Sequence, residues 1–235
     1  MDPLLETLLL NNEAVMLFHA NGSLTRAADA YQKSLCNVRN LLRGNPWIEP
    51  TFQSTISSPE ERWHSMGISS TISKPSSRKP LHDSFYLFQR ALFLNDPSGA
   101  SSNLQEIVKA LPIFGSVVLF NTAILYHKNA ALTGEYSSLD KAQRLYKASL
   151  QFATSKGATN PTDWLIVIAA SNNLAQIAYE KGRIEEVNER LDDMSFVLSR
   201  GGSFEQLHGI FAVEEIQGFL SNAAMAGGFQ SSPAA

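Results

Sequence analysis

Three features of the sequence predict an all-α chain. Apolar residues recur at spacings of three and four over much of its length. Proline beside aspartate or asparagine opens some of these runs, and glycine closes most of them. The runs also fall into pairs whose second members match one another.

The first helix is predicted over residues 3–20. Asp2-Pro3 supplies a cap and a proline at the first helical position, where a missing N–H has no intrahelical partner to lose, and Leu4, Leu5, Leu8, Leu9, Val15 and Phe18 keep a helical period. Asn21-Gly22 stops it. Leu24, Ala27, Ala28, Tyr31, Leu35, Val38 and Leu42 mark a second helix that ends before Gly44-Asn45-Pro46, so residues 1–43 make a first hairpin. Residues 44–80 hold nine serines together with Pro46, Pro50, Pro59, Pro75 and Pro80, the composition of a long flexible loop. The basic cluster "SKPSSRKP" within it reads as a solubilising linker or as a contact controlled by phosphorylation.

Residues 81–116 form a connecting segment. Its run "SFYLFQRALFL" is apolar almost without a break, so helix and buried strand compete there, and Leu104, Ile107, Val108 and Leu111 suggest a short helix interrupted by Pro112. Residues 117–220 hold two more hairpins and a capping helix. The second hairpin runs through Phe120, Ala123, Ile124, Tyr126 and Ala130 to Gly134, then through Leu139, Ala142, Leu145, Tyr146 and Leu150. The third opens at Asn160-Pro161-Thr162-Asp163, turns at Gly182 and returns through Ile184, Val187, Leu191, Met194 and Leu198. Residues 221–235, rich in small side chains, are expected to be a disordered tail.

Composition excludes several functions. A net charge of -3 argues against nucleic-acid binding, which draws its affinity from excess Lys and Arg. Cys36 is the single cysteine, so no intrachain disulfide forms; a reducing, cytoplasmic setting is expected, with Cys36 as a buried small hydrophobe. The apolar stretch "WLIVIAA" is stopped by Ser171-Asn172-Asn173, short of the ~20 residues of a membrane span. Nucleotide-binding and hydrolase motifs are absent, the acid pairs Glu185-Glu186 and Asp192-Asp193 suit a solvated face, and His19 and His127 find no third ligand. No catalytic residue, metal or cofactor is expected.

The second helices share a small or branched residue and a large one four later: Ala27 and Tyr31, Ala142 and Tyr146, Val187 and Leu191. On the first helices Asn12, Asn121 and Asn173 open the similar phrases "NEAVMLF", "NTAILYH" and "NLAQIAY". At these residues the chain resembles the tetratricopeptide repeat, which pairs a small residue on its first helix with a turn glycine and A-x3-F on its second. Ala175, Gly182, Val187 and Leu191 fit that pattern; the first hairpin departs from it with Val15 in the small position. Ala142 follows Ala123 by nineteen residues where Val187 follows Ala175 by twelve, an excess of about two helical turns that a longer first helix would absorb.

The resemblance implies a short right-handed α-solenoid with a long irregular insertion, acting as a non-catalytic protein-protein interaction scaffold that takes a peptide or protein partner in its concave groove. The alternative is a helical enzyme, or a subunit of one, with a site between the hairpins. The family's groove positions fall on Asn12, Met16 and His19, on Asn121, Ile124, His127 and Lys128, and on Asn172, Asn173, Gln176, Tyr179 and Glu180. Primary amides donate and accept at once, so this wall suits an extended backbone whatever its side chains. The same amides would otherwise satisfy helix ends, face solvent, or contact the chain's own 44–80 loop. As groove residues they are expected to add little to stability. The basic set with which some tetratricopeptide domains clamp the carboxyl termini of heat-shock chaperones is missing, since Asn12, Met16, Ala169 and Asn173 stand in those places.

Overall fold

The computed structural model describes residues 3–20, 23–43, 85–94, 104–155, 161–200 and 210–229. Seven helices are found among them: α1 (Pro3–His19), α2 (Leu24–Leu42), α3 (Leu104–Thr133), α4 (Tyr136–Thr154), α5 (Pro161–Glu180), α6 (Ile184–Arg200) and α7 (Val213–Phe229). No strand occurs among the described residues, so the chain is all-α. The 44–80 loop expected from composition lies outside the described residues, as do Gly22 and Asn160. No helix among the described residues is long and apolar enough to cross a membrane.

The chain divides into two compact units, Met1–Ser76 with Arg90–Phe152 and Ser77–Gln89 with Ala153–Ala235. In the first unit, Ser23 caps α2 by accepting from the Arg26 N–H at 3.3 Å. Ala27 and Tyr31 of α2, and Ala142 and Tyr146 of α4, are fully buried, as a small-then-large pattern at the seam between helices requires. A second parallel fixes the register. Ser34 of α2 donates to the Thr7 carbonyl of α1 at 3.1 Å, and Ser149 of α4 donates to the Ser116 carbonyl of α3 at 2.8 Å. This equivalence aligns Ala14 with Ala123, so the small position of the first hairpin belongs to Ala14 and not, as expected, to Val15; both are fully buried.

Pro112 does not interrupt a helix; α3 runs through it for 30 residues. The lost backbone bond and ring clash disfavour that by about 3 kcal/mol. Leu111, Phe114, Val117, Val118, Leu119 and Phe120 are all buried around it, and burying each such side chain contributes about 1.5–3 kcal/mol, so the helix wins. Gly115 serves the same packing: a Cβ there would stand 3.3 Å from the Phe152 ring and 3.6 Å from Val38.

The extra seven residues of the second hairpin are shared between its helices. Beyond their small residues α3 runs five residues further than α5, α4 starts three residues earlier relative to Ala142 than α6 does relative to Val187, and the turn is one residue shorter. The lengthened tip stays packed, with Ala130 and Leu139 buried and the Asn129 amide donating to Ser138 Oγ at 3.1 Å.

In the second unit α5 packs on α6 and α6 on α7. The turn between α5 and α6 ends the helix through a left-handed Gly182, φ 69°, with Arg183 N–H donating to the Ala178 carbonyl and Gly182 N–H to that of Tyr179. Val187, Leu191 and Met194 make the buried face of α6. Residues expected in a disordered tail are helical as far as Phe229, and Asn222 is fully buried. Cys36 also departs from expectation. It is exposed on α2, because it lies on the face opposite Tyr31, Ser34, Leu35 and Val38.

Candidate functional site

Residues 85–94 are neither helix nor a strand in a sheet. Their backbone is paired instead with asparagine side chains. In the first unit Asn12 of α1 accepts from the Leu94 N–H and donates to the Leu94 carbonyl, both at 2.8 Å. Asn121 of α3 does the same for Leu92, again at 2.8 Å and 2.8 Å. Each amide thus reproduces the two-bond exchange that a facing residue makes in an antiparallel sheet.

The second unit repeats the construction. Asn173 of α5 accepts from Phe88 N–H at 3.0 Å and donates to its carbonyl at 2.9 Å. Asn222 of α7 takes Tyr86 in the same way at 2.8 Å and 2.8 Å. The residues held are alternate ones in each unit, Tyr86 and Phe88, then Leu92 and Leu94. In an extended chain successive N–H and C=O pairs point to opposite sides, so a wall on one side grips every second residue. That resolves the competition between helix and strand: the backbone is extended, and side-chain amides stand where a neighbouring strand would be.

One further asparagine in each unit ties the set together. Asn11 donates to the Leu92 carbonyl at 3.1 Å and to Asn12 Oδ1 at 3.2 Å, and accepts from Asn121 at 2.9 Å. Asn172 makes the corresponding three bonds, to the Tyr86 carbonyl at 2.9 Å, to Asn173 Oδ1 at 3.1 Å and from Asn222 at 2.6 Å. Bond for bond, Asn11, Asn12 and Asn121 correspond to Asn172, Asn173 and Asn222. Five of the six are fully or almost fully buried, while Asn12 is partly exposed.

The twelve residues expected in the groove separate into four groups. Asn12, Asn121, Asn172 and Asn173 hold the backbone of 85–94, and Tyr179 stacks on the Phe85 ring at 5.8 Å with the planes 29° apart. Ile124 and His127 belong to the core, and Lys128 lies half-buried with Nζ 4.5 Å from the centre of the Phe18 ring. Gln176 donates to Glu180 at 3.3 Å along the same helix. Met16 and His19 are exposed. His19 and His127 are both expected in the groove, but the first imidazole is exposed and the second buried. Both His127 nitrogens lack a hydrogen-bond partner among the described residues, its ring meets Tyr146 edge-on at 6.0 Å, and burial pushes its pKa down to about 4.

Sequence reasoning missed Asn11 and Asn222. The doublet Asn11-Asn12 repeats as Asn172-Asn173, and Asn222-Ala223-Ala224 echoes Asn12-Glu13-Ala14 and Asn121-Thr122-Ala123, so the signal was present. It also placed the possible internal contact of the amides in residues 44–80, whereas the described contact is with 85–94. Comparison of the chain with protein-family models, with curated proteins and with solved structures finds no match.

Proposed function

We propose that this chain is a non-catalytic, tetratricopeptide-like interaction scaffold in which one asparagine on each inward-facing helix reads the backbone of an extended peptide. The helical hairpins supply a right-handed solenoid in this reading, and the wall of amides lines its concave face. The observation that carries the proposal is the two-bond grip found in each unit, of Asn12 and Asn121 on Leu94 and Leu92 in the first and of Asn173 and Asn222 on Phe88 and Tyr86 in the second. Such a grip is indifferent to side-chain identity, so it suits a surface built to hold a peptide main chain. In the state described the peptide is the chain's own residues 85–94, and a partner segment takes the same amides when it replaces them. The lone, exposed Cys36 fits a reducing compartment such as the cytoplasm.

The test is competition. Partners captured on the immobilised full chain are challenged with an excess of a synthetic peptide of residues 84–94. Release of the partners by this peptide, and not by one with proline in place of Tyr86, Phe88, Leu92 and Leu94, is the expected result. Partners that stay bound, or that leave only when salt is raised, would place the interaction elsewhere, for instance on acidic α6.

A further inference from the structure

Main-chain bonds alone select no sequence, so any selectivity of the amide wall resides in what receives the side chains between them. The two units differ in this respect. In the first, Ala91, Leu92 and Leu94 are buried and Phe93 is 53% exposed, a set of small and aliphatic sites. In the second, the receiving surface is aromatic. Phe88 is fully buried, stacked on Phe219 at 5.8 Å and edge-on to Phe211 at 6.2 Å. Tyr86 meets Phe219 edge-on at 5.5 Å, and Phe85 lies on Tyr179.

Gly218 makes room for the second of these rings. A Cβ at Gly218 would overlap the Tyr86 ring, so this position of α7 admits an aromatic residue only while it is glycine. Ring pairs of this kind are favourable beyond the area they bury. Leu87 is half-buried and Gln89 exposed, so the third place and the exit are permissive.

We infer that the second unit is a receptor for extended segments of other polypeptides with the pattern Phe-Tyr-X-Phe, and that residues 85–88 occupy it as a tethered competitor. The inference rests on the scaffold reading above and adds the sequence that the scaffold selects. The contacts of Tyr86 and Phe88 with Asn172, Asn173, Asn222, Phe211 and Phe219 involve only the segment's own backbone and rings. A peptide in trans can make every one of them. Its handicap is the high effective concentration of the tethered copy, of millimolar order for short linkers. Proline is excluded at the second and fourth places, because both N–H groups are used.

The experiment uses the full chain and a fluorescein-labelled peptide of residues 82–91, followed by fluorescence anisotropy. Phe88→Ala in the protein weakens the internal competitor, so this variant should bind the peptide at least about tenfold more tightly than the wild type. Adding Gly218→Ala should weaken binding of the Tyr-containing peptide by about tenfold, and a peptide with alanine in the Tyr86 place should recover it. Equal or absent binding in a helical Phe88→Ala chain, or no effect of Gly218→Ala, would overturn the inference. Should Phe88→Ala lose its helical spectrum, Phe85→Ala, which removes only a stacked ring, takes its place. Loss of helix in that variant too would make the segment an integral part of the fold and overturn the inference as well. Two further peptides separate this claim from the one beneath it. Binding of a peptide with its aromatic order scrambled as tightly as the native one rejects the pattern and keeps the backbone reading. Binding of a peptide with proline at the Tyr86 and Phe88 places rejects both.

Discussion

Replacing Asn121 by alanine tests what the buried amides contribute. Asn121 accepts from the Leu92 N–H, donates to the Leu92 carbonyl and donates to Asn11 Oδ1. Its loss leaves the Leu92 carbonyl with its bond from Asn11, but deprives the Leu92 N–H and Asn11 Oδ1 of these donors and acceptors in a site where Asn11, Asn121 and Leu92 are all buried. A buried polar group stranded in this way destabilises by about 1–3 kcal/mol, so the two together predict about 2–6 kcal/mol. Asn12→Ala provides the comparison: it removes the two bonds with Leu94 and the one accepted from Asn11, but Asn11 keeps its bond to the Leu92 carbonyl and Asn12 is partly exposed, so that water can take its place and about 1 kcal/mol is expected. Urea unfolding followed by circular dichroism reads both. A loss below about 0.5 kcal/mol for Asn121→Ala, or a larger loss for Asn12→Ala than for Asn121→Ala, would refute the reasoning. The expectation that groove asparagines matter little to stability thus gives way, because they hold the chain's own backbone.

His127 predicts acid sensitivity. Its pKa is held at about 4 by burial against an ordinary 6.5, so the unfolded chain binds the proton more readily; stability is complete above pH 6.5 and falls as pH drops from 6.5 to 4, by up to about 3 kcal/mol. His127→Leu should remove that part of the slope in urea titrations between pH 7.5 and 4.5, and an unchanged slope would contradict it. Tyr31 is fully buried, with no partner for its hydroxyl among the described residues. Tyr31→Phe should therefore leave stability unchanged or raise it by about 1 kcal/mol, and a loss above about 1 kcal/mol would show that the hydroxyl is satisfied.

Much of the helical framework was legible because its signals are local. Gly134 and Gly182 stop helices where left-handed backbone is needed, at φ 71° and 69°, and Ala27 with Tyr31, or Ala142 with Tyr146, follow a spacing set by helix geometry alone. Asparagines on an otherwise apolar helix were also conspicuous, since Asn172 and Asn173 sit among buried neighbours. What fills the space beside them was not legible. A run such as "SFYLFQRALFL" carries no alternation, because Leu87 and Phe93 are as apolar as the residues the amides hold although neither is buried, and pairing with side chains obeys no rule of strand register. Asn222 was hidden by the small residues around it, which resemble a tail until Phe211, Ile216 and Phe219 are seen to bury that helix. Pro112 misled for a related reason, as its local penalty is outweighed only by side chains that the fold brings to α3.

The account turns on alternate backbone groups of residues 85–94 being held by amides, and amide hydrogen exchange of the wild-type chain, resolved residue by residue, addresses this most directly. The N–H groups of Tyr86, Phe88, Leu92 and Leu94 donate to Asn222, Asn173, Asn121 and Asn12 and should exchange slowly, with the intervening Leu87 and Phe93 exchanging much faster. Uniformly rapid exchange across the segment, or protection of Leu87 and Phe93 equal to that of their neighbours, would contradict an asparagine wall reading an extended chain.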